Sequence, residues 1–152
     1  MKRATSFQKH FWWHGFSKVD LAFCHKERKQ ANQVGNMILV GDIKGKTCIL
    51  VDDMIDTAGT LCTAANMLKE GGAKEVYAFA THGLFNGPAA DRIYDSAIKK
   101  LIVSDSMPIK EDFRAKLGDR FDTVSLDLLL AEVIRRTHEG QDTSELLNVP
   151  IY

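Results

Sequence analysis

One segment, residues 47–60, constrains the fold more than any other part of the chain. Its first five residues, Thr47–Val51, are apolar or β-branched, as is typical of a strand buried on both faces of a sheet. Asp52 and Asp53 are expected to end this strand, and a short turn of polar and small residues follows. Apolar residues then recur at helical spacing as far as Gly71, where a glycine pair is expected to end a helix. The segment therefore predicts a buried strand, a tight turn and a helix in succession.

Short apolar runs alternate with helical patterns through the rest of the chain. Further strands are expected at Val19–Phe23, Met37–Gly41, Val76–Ala80, Leu101–Val103 and Thr123–Val124, and further helices at Ala89–Ala97 and Leu126–His138. Strands that alternate with helices imply parallel pairing through right-handed crossovers. We therefore expect an α/β fold, an open, mostly parallel sheet flanked by helices, with ligands bound at the carboxyl ends of the strands. In the last helix, an apolar side is expected to face the core: Leu126, Leu129, Leu130, Val133 and Ile134.

Length and charge limit the class of protein. The 152 residues are 45% hydrophobic, enough for one compact core, and the single domain is expected to span residues 19–152. Twenty basic and twenty acidic residues give a formal net charge of zero, so bulk electrostatics do not favour nucleic acid or a membrane surface as a partner. Apolar runs fall far short of the roughly 20 residues that span a bilayer. We expect a soluble, cytoplasmic protein.

The cysteines and the first residues carry no targeting or metal signal. Cys24, Cys48 and Cys62 lack metal-ligand spacing and lie within or beside apolar runs, so they are expected to be buried thiols in a reducing compartment. His10 and His14 interrupt the first eighteen residues, which therefore do not form the apolar core of a signal peptide.

The turn after the acidic pair is expected to bind an anion. It comprises Asp56, Thr57, Ala58, Gly59 and Thr60. Gly59 allows close approach of a ligand, and Thr60 is expected to cap the following helix. Consecutive backbone N–H groups at a helix N-terminus suit a phosphate, whereas Asp52 and Asp53 suit hydroxyls or a metal. The alternative is a strand that ends in solvated aspartates before a capped helix, but the complete string favours a sugar phosphate site.

A second glycine-rich segment has a structural explanation. Gly41–Thr47 is similar to a nucleotide-binding P-loop, but it has one residue too few between its glycines. It also precedes a strand, whereas a P-loop follows a strand and opens a helix. We interpret it as a turn between two strands.

Two motifs identify a family. The string Ile49–Thr60 resembles the phosphoribosyl-binding signature of type I phosphoribosyltransferases and 5-phosphoribosyl-1-diphosphate (PRPP) synthetases. This resemblance implies that Asp52 and Asp53 bind the ribose 2- and 3-hydroxyls and that residues 56–60 bind the 5-phosphate. His25–Asn32 resembles the flexible catalytic loop of PRPP synthetases, which base phosphoribosyltransferases lack, and its Lys26 and Arg28 would then be catalytic. Without the family, that charged stretch is an ordinary solvated loop, and the polar stretch 26–35 is expected to be long and mobile.

The resemblance implies a ribose-phosphate diphosphokinase. In that reaction the ribose 1-hydroxyl attacks the β-phosphorus of ATP and expels AMP, with Mg²⁺ as cofactor and with ribose 5-phosphate and ATP as ligands. The similarity runs from Lys18 to Pro150 and includes Thr81–Phe85, Gly87–Ala89 and Leu130–His138. The family's N-terminal domain, with most of its ATP site and a metal-binding histidine, is expected to have no counterpart within these 152 residues, and residues 1–18 are expected to diverge. We accordingly expect no complete metal site within this chain.

Three classes of function remain open at this stage. The first is the diphosphokinase or its C-terminal half, as a homo-oligomer or as a partner of full-length synthetase. The second is a non-catalytic phosphoribosyl-binding or regulatory subunit, and the third, which the loop around Lys26 disfavours, is a base phosphoribosyltransferase. Ser144 lies where the family places part of an allosteric phosphate site, but Asp142 stands where a second hydroxyl is expected, which argues against that site.

Overall fold

The computed structural model describes residues 2–16, 18–26 and 37–147. Five helices lie in this part of the chain: α1 (Lys2–Trp13), α2 (Gly59–Glu70), α3 (Ala89–Tyr94), α4 (Glu111–Leu117) and α5 (Asp127–His138). Six strands accompany them: β1 (Phe23–Lys26), β2 (Met37–Val40), β3 (Thr47–Ile55), β4 (Glu75–Gly83), β5 (Ile98–Ser104) and β6 (Phe121–Val124). Short 3₁₀ turns cover Gly118–Arg120 and Ser144–Leu147.

The last four strands form one parallel sheet in the order β3-β4-β5-β6. Helices α2, α3 and α4 connect successive strands of this sheet, which is the arrangement expected from the alternating sequence pattern. One row of residues crosses all four strands: Leu50, Ala78, Leu101 and Phe121. The expected α/β fold with a parallel sheet flanked by helices is confirmed.

The core lies between the sheet and the helices α2 to α4. In β4, Val76, Ala78 and Ala80 are at most 1% exposed, whereas the residues between them are half-buried, so one face of this strand is covered more completely. The helices contribute buried apolar side chains to the same cluster: Leu61, Ala65, Leu68, Ala89, Ile93, Phe113 and Leu117. This packing holds the carboxyl ends of β3 and β4 beside the start of α2.

The other face of the sheet meets α1. The ring of Phe7 lies 5.2 Å from the ring of Phe79 in β4, centroid to centroid. Trp12 in the same helix remains 66% exposed. Strands β1 and β2 form a separate antiparallel hairpin, and the turn from Gly41 leads from β2 into β3, as expected for the glycine-rich segment.

Several expected boundaries are wrong because they depend on partners. Residues 19–22 are not in a strand, since the pairing with β2 begins at Phe23. Strand β3 does not stop at the acidic pair but runs on to Ile55, because β4 supplies partners as far as Gly83. Helix α3 ends at Tyr94, three residues early. Helix α4 was not expected, although acids in its first turn and basic residues in its last turn favour a helix.

The prediction that the apolar side of α5 faces the core is wrong. Leu129 is 38% exposed, Leu130 is 55% exposed and Ile134 is 69% exposed. Only Leu126 and Val133 of the five expected residues are half-buried. The described part of the chain buries no residue of this helix. The amphipathic pattern of α5 is present, but its apolar side is exposed to solvent.

The longest of the described helices have 12 residues, so none of them is long and apolar enough to cross a membrane.

The three cysteines are free thiols in different environments. Cys62 is buried as expected and Cys48 is half-buried, whereas Cys24 is exposed, contrary to the prediction. Removal from water disfavours the thiolate, and this desolvation raises the pKa of the Cys48 and Cys62 thiols above the usual value. A raised pKa makes a thiol less nucleophilic at neutral pH, in agreement with a structural role.

Candidate functional site

The acidic pair lies inside strand β3. Asp52 and Asp53 are both half-buried. A carboxylate oxygen of Asp52 accepts the backbone N–H of Asp53 at 2.9 Å, and one of Asp53 accepts the backbone N–H of Met54 at 3.0 Å. Each carboxylate is therefore fixed against the next peptide group near the carboxyl end of the strand, where parallel sheets bind ligands.

The turn between β3 and α2 has a strained backbone. Ala58 has φ 59° and ψ 5°, which places a non-glycine residue in the left-handed region, and it is only 6% exposed. This conformation costs roughly 1–2 kcal/mol for a residue with a Cβ. Such strain persists only where the surroundings impose it, and it is concentrated at functional sites.

No side chain caps the start of α2. Thr60, the expected cap, lies inside the first turn, and Ala58 occupies the capping position instead. The prediction of a Thr60 cap is therefore wrong. The first N–H groups of an uncapped helix need an outside acceptor, and the positive end of the helix dipole favours an anion there.

Two side chains from later in the sequence support this turn. The side-chain amide of Asn86 donates to the carboxylate of Asp56 at 2.8 Å. Arg92 in α3 donates from Nη1 to the backbone carbonyl of Thr57 at 2.9 Å. A Cβ added to Gly59 would lie 3.3 Å from the same Nη1, so the glycine leaves the space that the guanidinium needs. Sequence reasoning identified neither Asn86 nor Arg92, because no local pattern shows contacts across 30 and 35 residues.

Comparison with known proteins identifies the family. Residues 17–148 match the family model described as the phosphoribosyl synthetase-associated domain. The chain belongs to this family. A solved structure, phosphoribosylpyrophosphate synthetase from Mycobacterium smegmatis, is 41% identical, with a TM-score of 0.74. The match covers 89% of this chain and 42% of that chain, so the chain spans less than half of that relative's length.

The expected catalytic loop of this phosphoribosyl synthetase-associated domain is only partly visible. The backbone of Lys26 ends β1 and pairs with Met37 at the start of β2. The side chain of Lys26, Arg28 and the rest of that segment lie outside the described residues.

A group of hydroxyls lies at the carboxyl ends of β4 and β5. His82 contacts the hydroxyl of Ser106 through Nδ1 at 2.8 Å. The hydroxyls of Ser104 and Ser106 both donate to the carbonyl of Thr81, at 2.6 and 3.1 Å. This network ties the end of β4 to the turn after β5, a structural role that explains the motif around His82.

In the segment around Ser144, the Asp142 carboxylate accepts the hydrogen bonds of both the Ser144 hydroxyl and its backbone N–H. Asp142 accepts the Ser144 hydroxyl at 2.6 Å and the Ser144 backbone N–H at 2.8 Å. These hydrogen bonds hold the pKa of the Asp142 carboxyl below its usual value, so it stays ionised at neutral pH. The negative carboxylate of Asp142 beside the Ser144 hydroxyl opposes the binding of an anion there, in agreement with the argument against an allosteric phosphate site.

A separate cavity lies away from the strained turn. It has a volume of about 540 Å³ and lies between α1 and the sheet, with lining residues that include Phe7, Phe11 and Ile49. Neither the acidic pair nor residues 56–60 line it. Residues 56–60 therefore form a turn that lies outside this cavity.

Proposed function

We propose that this chain supplies the ribose 5-phosphate site of a ribose-phosphate diphosphokinase. That enzyme transfers the diphosphate of ATP to the 1-hydroxyl of ribose 5-phosphate, giving PRPP and AMP. The observation that carries the proposal is the left-handed Ala58, buried at the uncapped start of α2. A costly backbone conformation that leaves helix N–H groups open is understandable if a phosphate compensates for it. The family membership of residues 17–148 supports the same assignment.

Each part of the site has a proposed role. Residues 56–60 bind the 5-phosphate through backbone N–H groups at the start of α2. Asp52 and Asp53 accept hydrogen bonds from the ribose 2- and 3-hydroxyls, since carboxylates repel a phosphate but bind a diol well. Their half-buried position strengthens these hydrogen bonds relative to fully solvated ones.

Asp52 and Asp53 could hold Mg²⁺ only if substrate oxygens supply further ligands. Among residues 2–16, 18–26 and 37–147, no group of three or more metal-ligating side chains occurs. Mg²⁺ is commonly held by one or two carboxylates together with substrate oxygens and water. Asp52 and Asp53 would serve as those carboxylates, and the ion would neutralise charge on the transferred diphosphate.

Lys26 and Arg28 are proposed to stabilise the transition state. Phosphoryl transfer spreads negative charge over the equatorial oxygens, and cations placed beside those oxygens lower the barrier. An ammonium acts as a point charge, whereas the guanidinium fork binds two oxygens at once. Both residues depend on ATP being held in line with the ribose 1-hydroxyl.

We propose that binding of the nucleotide depends on a counterpart of the rest of the solved synthetase, since the match covers only 42% of that chain. We propose that residues 19–152 form one phosphoribosyltransferase-like domain, preceded by the divergent segment 1–18. Positioning of reactants is worth about 7–11 kcal/mol of barrier. We therefore propose that turnover needs a counterpart of the remaining part of the solved synthetase.

The exposed apolar side of α5 supports a separate proposal. We propose that this side of the helix contacts another copy of the chain.

Two measurements test this function. Calorimetric titration should show that ribose 5-phosphate binds and that ribose without the phosphate binds far more weakly. Equal affinities for the two sugars would contradict the proposed phosphate site.

A coupled assay for AMP release, with and without an added N-terminal half of PRPP synthetase, then decides the class: turnover only after addition, lost on Lys26→Ala, supports the diphosphokinase. Tight binding without any turnover indicates the non-catalytic subunit, and turnover with a free base indicates a phosphoribosyltransferase.

A further inference from the structure

Arg92 is an exposed arginine that contacts the turn between β3 and α2. Its side chain makes one hydrogen bond, to the carbonyl of Thr57, and it forms no salt bridge within the described part of the chain. Asp91, the adjacent acid of α3, is paired with Lys116 instead. Other cations near the sheet are also paired, such as Lys99 with Glu75. A guanidinium without a salt bridge to any described residue therefore lies at the turn proposed to bind phosphate.

The backbone of the turn is shaped around this side chain. Thr57 presents its carbonyl to Nη1 at 2.9 Å, and Gly59 leaves room where a Cβ would lie 3.3 Å from that atom and 3.9 Å from Cζ. Between these two residues stands the left-handed Ala58. A guanidinium has five N–H donors in a planar fork, so one bond to Thr57 leaves others for an anion.

We propose that Arg92 is a binding residue of the phosphate site, holding the turn through Thr57 and donating to the phosphate of the sugar phosphate from its remaining N–H groups. This inference rests on the proposed function, because it concerns the same anion, but it adds a side-chain cation to a site otherwise built from backbone. Arginine suits this position because its fork can hold a carbonyl and a phosphate oxygen at the same time.

The decisive comparison is between ribose 5-phosphate and ribose. Arg92→Gln should weaken the binding of ribose 5-phosphate about 10- to 100-fold, the size expected for hydrogen bonds to a charged group, and leave the affinity for ribose unchanged. Arg92→Lys should lose less, because it keeps the charge but not the fork. Arg114→Gln is the matched control, since it removes an exposed arginine that lies over Phe121 and not at the turn.

Gly59→Ala provides an independent variant. Alanine favours a helix over glycine by about 1 kcal/mol, so the variant should unfold no more easily than the original chain. The added methyl group nevertheless presses on Nη1 at 3.3 Å, and the affinity for ribose 5-phosphate should fall by a few fold.

The outcomes separate the two proposals. If the unmodified chain binds ribose and ribose 5-phosphate equally, the proposed function fails. Suppose instead that the unmodified chain prefers ribose 5-phosphate. If Arg92→Gln then has the original affinities for both sugars, or if both affinities fall by the same factor, only the role of Arg92 is overturned. Should Arg92→Gln fail to fold, the Nε–Hε resonance of Arg92 in the unmodified chain decides: it should shift and saturate with ribose 5-phosphate and not with ribose, and an unmoved resonance overturns the assignment.

Discussion

Asn86 contacts Asp56 twice. Its side-chain amide donates to the Asp56 carboxylate at 2.8 Å, and its backbone N–H donates to the Asp56 carbonyl at 3.1 Å. Asp56 is exposed and begins the strained turn, so this double contact connects that turn to the segment after β4. The geometry of residues 56–60 therefore depends on a residue 30 positions away.

Removal of this contact should loosen the turn. Asn86→Ala loses one hydrogen bond to a charged group, worth about 1.5–3 kcal/mol, and we expect the affinity for ribose 5-phosphate to fall about tenfold. Asn86→Asp should be worse, because it sets two carboxylates against each other. Calorimetric titration gives both affinities. Asn66→Ala is the control, since Asn66 accepts the Ala97 N–H away from the turn, and an equal loss in that variant would contradict the specific role of Asn86.

Asp53→Asn should weaken sugar binding without changing the shape of the site. The substitution replaces a charged acceptor with a neutral one, so the affinity for ribose 5-phosphate should fall by roughly one to two orders of magnitude. The unmodified chain should also bind 2-deoxyribose 5-phosphate more weakly than ribose 5-phosphate. If the two sugars bind equally well, the acidic pair does not contact the 2-hydroxyl.

Ala58 should respond to substitution in the opposite way from a helical alanine. Glycine relieves the strain of the left-handed backbone, so Ala58→Gly should keep or raise the free energy of unfolding by up to about 1 kcal/mol. Ala115→Gly in α4 should lower it by about 1 kcal/mol, because its backbone is helical. Ala58→Val should be strongly destabilising, since a β-branched residue is poorly tolerated at φ 59°. Urea unfolding measures all three, and a similar loss in both glycine variants would contradict the strain.

Arg120 should contribute to stability far more than its neighbour Arg114. Its guanidinium donates to four backbone carbonyls at distances from 2.6 to 3.2 Å, those of Ile93, Tyr94, Ser96 and Ile98. Arg120→Ala leaves these carbonyls without that donor, and we expect a loss of about 2–3 kcal/mol and a lower melting temperature. Arg114→Ala removes a contact with the Phe121 ring, worth about 0.5–1 kcal/mol, and a weak attraction to Asp122. Differential scanning calorimetry gives the melting temperatures of both variants. Equal decreases for Arg120→Ala and Arg114→Ala would contradict this prediction.

The open side of α5 should mediate assembly. Leu130 and Ile134 are 55% and 69% exposed one turn apart, so replacing both with aspartate should lower the sedimenting mass if copies meet there. Trp12→Ala tests the alternative that α1 forms the contact, because Trp12 is 66% exposed. A monodisperse monomer at high concentration for the unmodified chain would exclude both versions of the homo-oligomer.

Local patterns predicted the central unit of the site well. The run Thr47–Val51, the turn and the helix up to Gly71 are encoded by neighbouring residues, so β3 and α2 are confirmed close to their expected positions. Ends that depend on a partner strand were wrong: β3 extends to Ile55 because β4 continues beside it. The roles of Asp52 and Asp53 in binding remain predictions.

The sequence alone determined the alternating α/β pattern and the position of the turn between β3 and α2, because both depend on side-chain periodicity and on conformational preferences of residues close in the chain. Tertiary structure alone decided which residues hold that turn. Asn86 and Arg92 reach it only after β4 has paired with β3 and α3 has packed beside α2. Tertiary structure also decided that the apolar side of α5 is exposed. An amphipathic pattern shows which side of a helix is apolar, but it does not show which part of the protein packs against that side.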